Sequence, residues 1–322
     1  MIKLPWIFNF ISIICGRLII GGKNLTGMSI IINSQTRLLV QGITGNAARY
    51  HTQLMMEYGT NIVAGVRPGA GGTEMHGVPV FDTVQDAVEK QRPNMSILFI
   101  PAKVMKQAAY EALEAGIKAI VMVSEHIPFH DTMEIIAKAQ ALNALVIGPN
   151  TPGLISPVEK CKVGFVPTDY YIPGSVGVAS RSGTLTYEIV SRLTRAGIGQ
   201  STCVGIGGDP IIGTLFSDVL KLFQNDPETK AILLIGEIGG TMEEEAAAMV
   251  EHHEITKPVV AYLAGRTAPK DKKMGHAGAI IAGGRGTIAS KLEAFKRASI
   301  PVAAVPDEVV PLIKQVLSFS RG

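Results

Sequence analysis

RLLVQGITGNAARYHTQ, residues 37–53, holds a whole α/β unit in seventeen positions. The apolar run 37–42 reads as a strand and ends in glycine. Thr44 and Gly45 then open a pattern with helical spacing from Asn46 to Tyr58. A strand that turns through glycine into a helix begins a parallel βαβ unit. The turn itself, Thr44, Gly45, Asn46 and Ala47, offers backbone amides at the positive end of a helix, where a phosphate is favoured. It also suits an ordinary strand-to-helix connection. Ala48 stands where a third glycine would complete a dinucleotide fingerprint.

The same unit recurs on the C-terminal side. NIVAGV (61–66), SILFI (96–100) with a helix over 103–115, AIVMV (119–123) and LVIG (145–148) fill out a first domain over 28–150. GPNTPGLISP (148–157) and PTDYYIPG (167–174) are rich in Gly and Pro, so 151–172 reads as a connection. A second series follows over 173–322. SVGVAS (175–180) leads to a helix near 185–195, and STCVGI (201–206) to one over Ile212–Phe223. AILLIG (231–236) leads to Met242–His252. PVVAYLAG (258–265), a helix from Ala289 to Ala298, a strand at 301–305 and a last helix complete it. The expectation is α/β: two doubly wound domains in tandem.

Composition narrows the function. A length of 322 residues suffices for two cores, and a net charge of +3 without a basic stripe argues against nucleic acid as a partner. Cys15, Cys161 and Cys203 are widely spaced and odd in number, which points to a reducing compartment. No clustered Cys/His pattern suggests a metal on this chain. Residues 1–27 contain the apolar stretch LPWIFNFISIICGRLII, broken by Asn9 and Arg17, too short and interrupted for a membrane span. They read as an N-terminal extension outside the fold, with a targeting peptide or a membrane anchor as alternatives.

Candidate site residues gather at strand ends. No Asp or Glu closes the second strand, which counts against a nicotinamide dehydrogenase. Instead GVRPGAGG (65–72) offers glycines and Arg67 to a nucleotide-like ligand, or forms a plain turn. VSEHIP (123–128) ends a strand at the edge where doubly wound folds bind ligands, so Ser124 and Glu125 either touch a ligand or cap a helix. In the second series, Ser182, Gly183 and Thr184 open a helix and suit an anion, or serve only to cap that helix. GIGGDP (205–210), with Gly207 and Gly208, and GEIGG (236–240) repeat the arrangement. Glu237 closes an otherwise apolar strand, as a functional carboxylate or a salt-bridged one. The long loop AGRTAPKDKKMGHAGAIIAGGRGT (264–287) carries His276 between small residues, a setting in which a neutral imidazole can act as nucleophile.

IGEIGG, SRSGTLTYE, QSTCVGIGGDP and MGHAGAIIAGG strongly resemble the α subunits of the succinyl-CoA synthetase family, in one register from about Ser29 to near the C-terminus. The GHAGA loop belongs to the NDP-forming acyl-CoA synthetase superfamily, which includes malate–CoA ligase and ATP-citrate lyase. The resemblance implies a Rossmann-like CoA-binding domain followed by a flavodoxin-like ligase domain. It makes His276 a phosphohistidine oriented by Glu237, with the turns at Ser182–Thr184 and Gly207–Gly208 around the phosphate. CoA would contact Thr44, Gly45, Asn46, Ala47, Val123, Ser124 and Glu125, and Tyr187 the carboxylic acid. ATP or GTP with Mg²⁺ would sit on a separate ATP-grasp β subunit, in a heterodimer or heterotetramer; no GxxxxGK[ST] occurs in this chain. The implied reaction interconverts succinate, CoA and nucleoside triphosphate with succinyl-CoA, nucleoside diphosphate and phosphate, as in the tricarboxylic acid cycle. The implied place is the bacterial cytoplasm, alternatively the mitochondrial matrix. The α subunit of a malate–CoA ligase and a noncatalytic CoA-binding module are the alternatives. The chain departs from the pattern at Ala48, at Thr151 (usually Cys) and at Ala70, where a CoA-contacting Lys is usual and Arg67 can supply the cation.

Overall fold

A computed structural model describes residues 30–266, 276, 278, 279 and 286–319. The extension 1–27 and most of the 264–287 loop lie outside the described residues. The first domain runs β1 (Leu38–Gln41), α1 (Asn46–Tyr58), β2 (Ile62–Val66), β3 (Glu74–Met75), β4 (Val78–Phe81), α2 (Val84–Gln91), β5 (Met95–Leu98), α3 (Met105–Glu114), β6 (Ala119–Met122), α4 (Phe129–Ala141) and β7 (Leu145–Ile147). Its sheet order is β3-β4-β2-β1-β5-β6-β7, parallel except for the β3–β4 pair. Without the short edge strand β3 this is the Rossmann order 3-2-1-4-5-6.

A hairpin, β8 (Gly153–Ser156) and β9 (Cys161–Gly164), leads into β10 (Pro173–Ser180), α5 (Gly183–Arg195), β11 (Gln200–Gly205), α6 (Phe216–Asn225), β12 (Ala231–Glu237), α7 (Met242–Glu251), β13 (Val259–Ala264), α8 (Ile288–Arg297), β14 (Val302–Ala303) and α9 (Val309–Phe319). The second sheet is ordered β14-β13-β12-β10-β11-β8-β9. Its five parallel strands follow the flavodoxin order 2-1-3-4-5. The hairpin pairs antiparallel with β11 and extends this sheet, so the stretch expected as a connection over 151–172 is in part the edge of the second domain.

The central strands β1, β2, β5, β11 and β12 are buried along their length because helices cover both faces, which explains their continuous apolar runs. Between the sheets the two cores merge: Met55 of α1, Cys161 and Val163 of β9 and Val204 of β11 belong to one buried cluster. α1 leans on the hairpin, and Thr60 Oγ1 donates to Lys162 O at 2.7 Å. The helix expected from Ile212 begins only at Phe216. The intervening residues tie the domains together: Gly213 N donates to Gly148 O at 2.9 Å and Thr214 Oγ1 to Val146 O at 2.6 Å. Asp218 then accepts from Leu215 N at 2.9 Å and starts the helix.

Residues 148–152 leave β7 and pass between the carboxyl ends of β6 and β11. Asn150 N donates to Ser124 O at 3.0 Å, and Asn150 O accepts from Gly208 N at 3.2 Å. Thr151, the departure from the usual Cys, is buried; its Oγ1 donates to Gly205 O and accepts from Gly153 N. Both sheets therefore present their ligand-binding edges to the same junction.

Candidate functional site

Glu237 is the last residue of β12, where the apolar strand emerges at the carboxyl edge of the sheet. Its Oε2 lies 2.8 Å from Nδ1 of His276. A carboxylate can only accept, so Nδ1 carries a proton, and in the neutral ring Nε2 keeps its lone pair. The ring rests on Gly208: a Cβ there would stand 2.6 Å from Cγ and Cδ2 of the imidazole. The hydrogen bond to Glu237 raises the His276 pKa above its ordinary value, with burial and the Arg181 charge opposing it. Ala279 N donates to His276 O at 3.1 Å and Gly278 N to Gly208 O at 3.0 Å, so the backbone around the histidine is held to the loop after β11.

Behind the pair lies a row of buried charges that the sequence reading did not single out. Arg181, 2% exposed, follows β10 directly. Its Nη1 donates to Gly239 O at 2.9 Å and to Glu243 Oε1 at 3.3 Å, and its Nη2 to Gly278 O at 3.3 Å. Nη2 also lies 3.2 Å from Glu237 Oε1, close enough for an ion pair though out of line for a hydrogen bond. Glu243, fully buried, accepts from Glu237 N at 3.0 Å and from Nζ of the equally buried Lys291. Lys291 Nζ also reaches Glu244 Oε2 and Gly240 O, both at 2.9 Å.

The turns expected around a phosphate divide in two. Ser182 caps α5, its Oγ accepting from Leu185 N at 3.4 Å, while Gly183 and Thr184 begin the helix at the surface. Gly207 holds φ +110 with Pro149 O against it, a place for glycine alone. Gly208 was expected to give its amide to phosphate; it gives it to Asn150 O and serves instead as the flat floor for the imidazole. The next residue, Asp209, was not anticipated. It is 5% exposed, accepts from Asn150 Nδ2 at 3.0 Å, and is pushed up by burial against the pull of that hydrogen bond, with charge contributions from His126, Glu125 and His276. Tyr187 points its hydroxyl toward the start of α5, 3.5 Å from where a Cβ of Gly183 would be. That hydroxyl is buried without a partner, and burial pushes the phenol up to about 12.

Across the junction, the first domain's candidates share one edge. Thr44–Ala47 form the β1–α1 turn; no side chain caps α1 at Gly45, and Gly45, Asn46 and Ala47 are exposed, so the first-turn amides face solvent. Ala48 is buried, and its methyl joins the core where a glycine would leave a gap. Arg67 is exposed at the end of β2; Ala70 is partly buried in a turn braced by Asp82, whose Oδ1 accepts from Gly69 N at 2.7 Å and Gly71 N at 3.0 Å. Val123, Ser124 and Glu125 follow β6. The Ser124 hydroxyl donates to Ile100 O. Glu125 and His126 lie near enough to act on Asp209, which brings this edge toward the histidine. Among the described residues no group of three or more His, Cys, Asp or Glu could hold a metal ion, and no helix is long and apolar enough to cross a membrane.

Comparison with known proteins finds two families along the chain. A CoA binding domain family matches residues 33–126 and a CoA-ligase family residues 179–300. The chain is 52% identical over 290 residues to a succinate–CoA ligase [ADP-forming] subunit alpha of Archaeoglobus fulgidus, covering 90% of this chain and 100% of that protein. It is 50% identical to the corresponding subunit of Aquifex aeolicus, covering 90% and 95%. Among solved structures it is similar to the ATP citrate lyase of Methanosaeta concilii in complex with (3S)-citryl-CoA, with TM-score 0.82 and 25% identity over 90% of this chain; it spans 51% of that longer chain. A dinucleotide-forming acetyl-coenzyme A synthetase of Ca. Korarchaeum cryptofilum shares the fold, with TM-score 0.70 and 20% identity, over 89% of this chain and 60% of that one.

Proposed function

We propose that this chain, which belongs to the succinate–CoA ligase α-subunit family, carries the phosphoryl group of the ligase reaction on Nε2 of His276. The γ-phosphoryl of ATP or GTP passes to Nε2: a P–N bond forms, the bond to the leaving diphosphate oxygen breaks, and Nδ1–H stays hydrogen-bonded to Glu237. A succinate carboxylate oxygen then attacks phosphorus and releases the imidazole, giving succinyl phosphate. The CoA thiol adds to the acyl carbon, phosphate departs and takes up the thiol proton, and succinyl-CoA remains. Phosphoryl transfer depends on positioning and charge more than on covalent help. The residues supply both: Gly208 and Glu237 fix the ring, and the carboxylate offsets the positive charge that grows on the imidazole. Tyr187 gives a neutral donor for the acid, and the α1 N-terminus with Arg67 meets the phosphates of CoA.

A β subunit is the partner that the family's name implies. An ATP-grasp fold on that subunit would hold the nucleotide, and Mg²⁺ there would neutralise the triphosphate. A reducing cytoplasm suits the bacterial and archaeal relatives and the buried free thiols of Cys161 and Cys203. The observation that carries this reading is the 2.8 Å contact that turns Nε2 of His276 outward from a buried carboxylate. In a complex co-expressed with its β subunit, His276→Asn is expected to abolish the acid-labile phosphate formed from γ-labelled ATP or GTP, while assembly and CoA binding persist. Wild-type labelling of the variant would sink the assignment. Full turnover by the chain without a β subunit would overturn the division of labour.

A further inference from the structure

We propose that Arg181 is the positioning residue of this site, holding the His276 backbone and the Glu237 carboxylate in one register. The inference rests on the phosphohistidine reading for its kinetic consequence, though the geometry is independent of it. Among the described residues Arg181 is the side chain that touches both halves of the pair's setting. Its Nη2 donates to Gly278 O, two residues beyond His276, and lies 3.2 Å from Glu237 Oε1. Its Nη1 takes Gly239 O, two residues beyond Glu237, and Glu243 Oε1, which in turn accepts from the backbone of Glu237. Charges alternate along the row: Lys291, Glu243, Arg181, Glu237, then the imidazole. A planar guanidinium can serve acceptors on four residues at once, whereas the point charge of a lysine on a flexible stem cannot.

Two consequences follow from this placement. The first is distance: with Arg181 in place the ring and the carboxylate cannot drift apart, because the carbonyl beyond one and the oxygen of the other share a nitrogen. The second is charge. The groups facing His276 are Glu237, Arg181 and Asp209, and Asp209 is itself faced by Asn150, Glu125 and His126. Arg181 opposes the protonation that Glu237 promotes, so it keeps more of the imidazole in the nucleophilic form at a given pH. A buried arginine serving only to fill the core would not hold that register, although its charge would still act on the ring.

The test uses the complex with its β subunit and two variants, Arg181→Met and Arg181→Lys. Phosphorylation of His276 by γ-labelled ATP or GTP is followed in a single turnover across pH. CoA binding, melting temperature and the titration of the unphosphorylated His276 ring by NMR are measured alongside. Arg181→Met is expected to slow phosphorylation by about 10²-fold, the penalty of a reacting group misplaced by about 1 Å, and to displace the ring titration, because the Arg181 charge and the register with Glu237 change together. Arg181→Lys keeps the charge and loses the bridges; it is expected to be slow with CoA binding and melting temperature intact. Wild-type rates in Arg181→Lys, or an unmoved titration in Arg181→Met, would overturn the proposal. If Arg181→Met does not assemble, the lysine variant decides alone, since its loss of rate must appear without loss of melting temperature. A wild-type complex that takes no phosphate would sink the phosphohistidine reading, whereas the ring titration would still judge Arg181.

Discussion

Alanine at position 208 puts a methyl group into the imidazole of His276. The added carbon would stand 2.6 Å from Cγ and Cδ2 and 2.9 Å from Nδ1, where an ordinary contact begins at 3.4 Å. The ring must then retreat by about 0.8 Å, which lengthens its hydrogen bond to Glu237 and turns Nε2 off line; a displacement near 1 Å costs about 10²-fold in rate. That factor corresponds to about 2.7 kcal/mol of transition-state stabilisation. The fold should not suffer: the backbone of Gly208 lies outside the left-handed region, and the three nearest atoms to the new methyl all belong to the His276 ring. Gly207→Ala is the contrasting control, because there φ is +110 and Pro149 O stands 2.2 Å from the added carbon, so that variant should lose stability. Single-turnover labelling from γ-labelled ATP or GTP in the two-subunit complex measures the rate, and calorimetry measures the melting temperature. A Gly208→Ala complex that phosphorylates at the wild-type rate would refute the claim that Gly208 seats the ring. A collapse of its melting temperature would show that the methyl meets the fold and not the histidine.

The acid limb of the phosphorylation rate should lie above pH 6.5 in the wild type, because Glu237 raises the pKa of His276 and the nucleophile is the neutral ring. Glu237→Gln should move that limb downward, since burial and Arg181 are then left to lower the pKa, and should slow the step by about 10²-fold; an unmoved limb would make Glu237 structural. Tyr187→Phe removes a buried hydroxyl that has no partner, so the melting temperature should hold or rise. The KM for the carboxylic acid should meanwhile increase by about 10- to 100-fold, the worth of a hydrogen bond to a charged group. An unchanged KM would remove Tyr187 from the acid site.

Local pattern carried much of the architecture. The helix read from spacing at Asn46–Tyr58 is the helix observed, because its glycine entry and its exit at Gly59 lie in adjacent residues. The strand–glycine–helix turns after β1 and β10 were equally visible, since Gly45 N donates to Gly42 O and Ser182 N to Ser180 Oγ within the turn. His276 and Glu237 were legible by context, a histidine among small residues and an acid ending an apolar strand. Their contact across 39 positions was implied only by resemblance.

What the tertiary structure decided concerns charges and edges. In MEEEAAAM three glutamates stand in a row, yet Glu243 is fully buried while Glu245 is exposed. That difference exists because Arg181, 62 positions away, and Lys291, 48 away, arrive to neutralise Glu243. Arg181 lies in the turn after β10, and its contacts with Glu237 and with Gly278, 97 positions on, make it part of the site. The hairpin at 153–164 and the late start of α6 likewise depend on partners in another strand or domain. Backbone form follows from interactions a few residues apart and can be read in order along the chain. Whether a charged side chain is a solvated ornament or a buried strut depends on counter-charges that only folding brings within reach.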